Sequence, residues 1–154
     1  MYRDITRAFF LLALLLLSAS AHAGNALPVK VEDAWVRAVP PSLGDTAAFM
    51  RLENTGDTPL LLTGGTTTIA GMAMLMKTTR KTVQGVEVLG MGPLDSIEIP
   101  PHSEHVLKPG GDHLMIMNLT SHPRPGDIVA VTLRFEPGHR TVTVEMPARI
   151  DLEK

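Results

Sequence analysis

Short runs in which apolar and polar residues alternate fill most of this chain, and Gly, Pro, Asn and Asp clusters interrupt them at roughly 8–12-residue spacing. Alternation of period two is the mark of half-buried strands, and no long stripe of period 3.6 competes with it. Val29-Lys30-Val31-Glu32 and Ala34-Trp35-Val36-Arg37-Ala38 read as one early strand or a bulged pair, ended by Pro40-Pro41. Ala47 to Glu53 follows, stopped by the turn signal Asn54-Thr55-Gly56-Asp57. Pro59 to Thr63 gives another strand, after which Gly64-Gly65 reads as flexible. Met72 to Lys77, Val86 to Leu89, Ser96 to Ile99, His105 to Leu107, His113 to Leu119, Ile128 to Phe135 and Thr141 to Met146 complete the series. The pattern predicts an all-β protein of roughly eight or nine strands, folded as a Greek-key β-sandwich in a single domain. No repeat, low-complexity tract or linker divides it.

Residues 1–23 stand outside that pattern. Arg3 and Arg7 bracket a charged start, Ala8 to Leu17 is apolar, and Ala21-His22-Ala23 matches a signal-peptidase site. The apolar run is shorter than the ~20 residues of a membrane-spanning helix. The expectation is therefore a signal peptide at 1–23 and an exported, periplasmic domain at 24–154 with no stable membrane insertion once cleaved.

Composition narrows the chemistry. The chain has no cysteine, which removes disulfides, thiolate zinc sites, cysteine nucleophiles and the thiolate a blue-copper electron carrier needs. A formal net charge of −2 without a basic run, and an aromatic content of 4%, argue against nucleic acid as a partner. Serine and aspartate are scattered without a nucleophile motif, and Gly110-Gly111 lacks the lysine-serine pair of a phosphate loop, so an enzyme is not expected.

The methionines are what stands out. Six of nine lie between Met72 and Met117, with three of the six histidines. Thioether sulfur is soft and uncharged, so it suits Cu(I) and offers nothing to calcium or magnesium. Met72, Met74 and Met76 sit at i, i+2 and i+4, and His113, Met115 and Met117 repeat that spacing, so on strands each trio shares one face. Three thioethers and one imidazole carry no ligand charge, which favours Cu(I) over Cu(II) and leaves the imidazole as the only pH-sensitive ligand.

Three segments carry a family resemblance: Asp33-Ala-Trp-Val-Arg37, Ala47-Ala-Phe-Met-Arg-Leu-Glu-Asn54 and Lys108-Pro-Gly-Gly-Asp-His-Leu-Met115. On these the chain from Gly24 onward resembles the PCuAC family of periplasmic copper(I) chaperones. That family's metal motif closes with a methionine, twenty-one residues, then His-x-Met, and here Met91 is followed by residues 92–112 and then His113-Leu114-Met115. The motif opens with a histidine, whereas this chain has none between His22 and His102. Met76 is the favoured replacement and Met74 the next. The resemblance implies a cupredoxin-like β-sandwich that binds Cu(I) through Met76, Met91, His113 and Met115. It also implies delivery to a copper-accepting protein such as a subunit of a respiratory oxidase or a second chaperone.

The remaining candidates read more plainly. Met50, Met146 and Met72 are core fillers, and Met117 either lines the site or packs inside. Trp35 plugs the core. His102 and His105 occupy a polar, Pro-bounded, solvated segment that could at most hold Cu(II) weakly, and His122 and His139 lie in loops without obvious partners. The rival function is an exported adhesion or assembly domain whose methionines form a contact surface without a metal site, and its sulfurs would spread rather than converge.

Overall fold

The structure, a computed structural model, describes residues 26–151. The segment 1–23, read as a signal peptide, and the last three residues lie outside the described residues. Ten strands and no helix make up the described chain: β1 (Val29–Arg37), β2 (Thr46–Asn54), β3 (Leu60–Thr67), β4 (Ala70–Val83), β5 (Val86–Pro93), β6 (Ile97–Ile99), β7 (Ser103–Leu107), β8 (Asp112–Leu119), β9 (Ile128–Glu136) and β10 (Arg140–Arg149).

The strands hydrogen-bond in one path, β5-β4-β8-β2-β1-β10-β9-β3-β6, with β7 also on β2. A contact between Gly65 and Ala73 joins β3 back to β4 and closes the path around the core. All pairings are antiparallel except β1 with β10. Wrapping of this kind follows from the intrinsic twist of strands.

Alternation decides what faces inward. In β9, Val129, Val131, Leu133 and Phe135 are buried, and in β8 it is Leu114 and Ile116. These meet Met50, Leu52, Leu60, Leu62, Leu75, Leu107 and Met146 in one cluster. Each fully buried side chain of this size contributes about 1.5–3 kcal/mol. Every strand except β5 supplies that cluster. The outer halves of β4 and β5 instead form an exposed hairpin arm carrying Val83, Val86, Val88 and Leu89.

Two expectations about this framework change. Gly64-Gly65 is not a flexible link but part of β3, where a Cβ on Gly65 would sit 2.8 Å from the Thr132 carbonyl oxygen. Close approach of β9, not freedom, requires glycine there. Trp35 is likewise not a core plug. A bulge at Asp33, whose φ is 51°, advances β1 by one residue against β2. Trp35 then lies half-buried outside the core, stacked on Phe49 with ring centroids 4.7 Å apart.

Candidate metal centre

The site is built on the outer face of β4, β8 and β5. Lys108-Pro109-Gly110-Gly111 makes the turn that delivers His113: proline precedes Gly110, whose φ is +74°, and the Gly111 N–H donates to the Lys108 carbonyl at 3.0 Å. That is the type II turn chemistry of a Pro-Gly pair. The Gly111 carbonyl then does two things. It accepts the Thr78 N–H at 3.3 Å, joining β4 to the start of β8, and it accepts the Nδ1 hydrogen of His113 at 3.0 Å.

Because a carbonyl can only accept, Nδ1 of His113 carries the hydrogen and Nε2 keeps its lone pair. A backbone acceptor on one ring nitrogen is the usual way a protein fixes a histidine tautomer for metal binding through the other. The ring is only 6% exposed and packs beside Phe49, centroids 6.4 Å apart. Phe49, 2% exposed, is in turn covered by Trp35 and by the Arg37 guanidinium 5.0 Å from its ring centre. Arg37 is tied to Asp151, with Nε to Oδ2 at 3.1 Å. The residues of the first two sequence signatures thus form a stacked layer that backs the imidazole.

Register places the sulfurs. Met76 is the direct cross-strand partner of His113, Met74 of Met115 and Met72 of Met117. Met91 on β5 is opposite Thr78, one position along β4 from Met76 on the same face. Met91, His113 and Met115 line one open cleft of about 320 Å³, together with Thr78, Leu89 and Phe49. Met91 is 64% exposed at its rim. Met76 and Met74 stand beside His113 and Met115 across the β4–β8 ladder, where directly opposed Cβ atoms are about 4.5–5.5 Å apart, but neither lines that cleft.

Met50 and Met146 are core residues as expected. Met72 is not: it is 50% exposed, because the period-two face that carries Met74 and Met76 points away from Ala73 and Leu75. The other histidines among the described residues have partners of their own. His105 lies on β7 rather than in a loop, and its Nε2 is 3.1 Å from Asp112 Oδ2. His102 pairs with Asp57 at 2.7 Å. They engage different carboxylates and do not converge. His122 binds the Leu43 carbonyl at 3.0 Å, and His139 pairs with Glu136, so neither is partnerless. The element that sequence reasoning missed is the support layer of Trp35, Arg37 and Phe49. Its signal was present, since all three fall within the signature segments.

Comparison with known proteins shows the family and the fold. Residues 29–148 match the family model described as "Putative lipoprotein LpqE-like". The chain belongs to the PCuAC-related LpqE-like family. It is 35% identical over 132 residues to "Putative lipoprotein Lxx21020" of Leifsonia xyli subsp. xyli, covering 86% of this chain and 76% of that one. Among solved structures, Cu(I)-loaded DR1885 from Deinococcus radiodurans is 36% identical over 88% of this chain and 87% of its own, with a TM-score of 0.65. The copper-bound PCuAC domain of PmoF2 shares the fold at a TM-score of 0.65 and 22% identity, covering 80% of this chain and 94% of that one. The cupredoxin-like fold expected from the sequence is therefore borne out.

Proposed function

We propose that this protein is an exported, non-catalytic copper chaperone that carries Cu(I) on Met91, His113 and Met115, with Met76 as fourth ligand. The observation that carries this reading is the open cleft those first three residues share, with the Nε2 lone pair of a tautomer-fixed His113 available beside two thioethers. Two solved relatives described as copper-bound support it, one of them specifically with Cu(I). Met76 is preferred over Met74 because it opposes His113 directly and sits nearer the rung of Met91.

Soft neutral donors hold Cu(I) without a charge that would trap a divalent ion. The exposed Met91 at the cleft mouth is the ligand an acceptor replaces first, and the buried His113 is the last to leave. Each exchange then keeps the ion coordinated throughout, which suits a carrier. The apolar side chain of Leu89, on the same face of β5 as Met91, offers the acceptor a dry contact during the handover. Export through residues 1–23, a periplasmic location in keeping with the lipoprotein names of the relatives, and an oxidase copper centre as the destination belong to the same reading.

The adhesion reading requires sulfurs spread over a patch, and the shared cleft disfavours it. Anaerobic Cu(I) titration against a chromogenic Cu(I) chelator tests the proposal. Wild type retains the ion, and His113→Ala and Met115→Leu lose it to the chelator. Unchanged retention in both variants contradicts it.

A further inference from the structure

The register leaves three thioethers unused by the site above. Met72 and Met117 are direct cross-strand partners, and Met74 is the next residue on the same face of β4. None of the three belongs to the hydrophobic core: Met72 is 50% exposed and the other two are half-buried. Burial therefore does not account for three long apolar side chains gathered on an outer face.

We propose that Met72, Met74 and Met117 form a second, weaker Cu(I) seat, one rung beyond the first along the β4–β8 ladder. Directly opposed Cβ atoms lie about 4.5–5.5 Å apart, and same-face residues of one strand about 6.6–6.8 Å apart. Each sulfur sits two bonds beyond its Cβ on freely rotating methylenes, so three sulfurs from two adjacent rungs can meet at one point. The donor set is wholly thioether, neutral and soft, and selects a monovalent soft ion, Cu(I) or its analogue Ag(I). Without an imidazole or a fixed tautomer it holds the ion less tightly than His113 does. Met74 opposes Met115, so the two seats adjoin, and an ion can pass between them by exchanging one thioether for the next.

This inference rests on the outer face being a Cu(I) surface, and the test separates the two. Anaerobic Cu(I) is titrated into the protein against a graded series of chromogenic chelators. Wild type takes up two equivalents, the second surrendered to the weaker chelators. Met72→Leu, which keeps the volume and leaves an exposed position unstrained, retains the first equivalent and loses the second. His113→Ala loses the first and retains the second. Wild type saturating at one equivalent, or Met72→Leu binding two, overturns the second seat and leaves the first standing. No uptake by wild type overturns both. Circular dichroism melts of each variant confirm that the fold is kept.

Discussion

Met76 and His113 oppose each other directly across the β4–β8 ladder. Met76 is the methionine that the register sets beside His113, and it is the proposed fourth ligand in place of the family motif's opening histidine. Met76→Leu is expected to lower Cu(I) affinity at least as much as loss of an outer-shell partner does, roughly 10–100-fold. Met76→His is expected to keep Cu(I) and gain Cu(II), since a second imidazole suits the harder ion. Chelator competition for Cu(I) and electron paramagnetic resonance of added Cu(II) check the pair. A Met76→His protein with no gain in Cu(II) binding speaks against Met76 as a ligand.

Phe49 links the stacked layer to the metal face. Phe49→Ala removes a ring that is 2% exposed between Trp35, Arg37 and His113, and large-to-small changes of this kind cost about 3–5 kcal/mol. It is also expected to loosen the imidazole and weaken Cu(I) retention. Phe49→Leu costs less and keeps more of the retention. Urea unfolding and chelator competition on both variants measure the two effects.

Asn54 is fully buried and holds three backbone groups: its Nδ2 donates to the carbonyls of Thr58 at 2.7 Å and Ile99 at 3.0 Å, and its Oδ1 accepts the Gly56 N–H at 3.0 Å. Asn54→Ala leaves those groups short of partners at about 1–3 kcal/mol for each one that water cannot reach. The proposed copper face lies on β4, β5 and β8 and does not depend on this tie. Stability by urea unfolding should fall while Cu(I) affinity stays as in wild type.

The acid side of the stability profile has an identifiable contributor. The His139 N–H donates to the Glu136 carboxylate at 3.1 Å, and that backbone hydrogen bond holds the carboxyl below its ordinary value of 4.5. A depressed carboxylate stabilises the fold fully above the unfolded value and stops doing so as pH falls through the folded one. The difference in urea midpoint between wild type and Glu136→Gln is thus expected to be constant near neutrality and to close below pH 4.5. A gap independent of pH down to acid unfolding would contradict the assignment.

Much of this was legible in the sequence for definite reasons. Alternation is local, so it marked the strands of the core, and Met50 and Met146 fell inside as their apolar neighbours required. The Pro-Gly-Gly turn announced itself through residues that only such a turn favours, and the twenty-one-residue interval from Met91 to His113 led to a shared cleft. What failed depended on partners distant in the chain. Period two groups Met72 with Met74 and Met76 but does not say which face is inward, and that was decided by Ala73 and Leu75 packing on β8 and β3. Trp35 looked like core because of its size, yet the Asp33 bulge sets its register and Phe49 receives it outside. Gly64-Gly65 read as slack because nothing local reveals that β9 approaches to within contact.

The most direct test of the account is a methionine ε-methyl NMR titration with one equivalent of Cu(I) under anaerobic conditions. The methyls of Met91, Met115 and Met76 are expected to shift together, the His113 Nε2 resonance to move while Nδ1 keeps its hydrogen, and Met50 and Met146 to stay still. If Met91 and Met115 remain unmoved while the protein takes up copper, the ion binds elsewhere and the assigned centre is wrong.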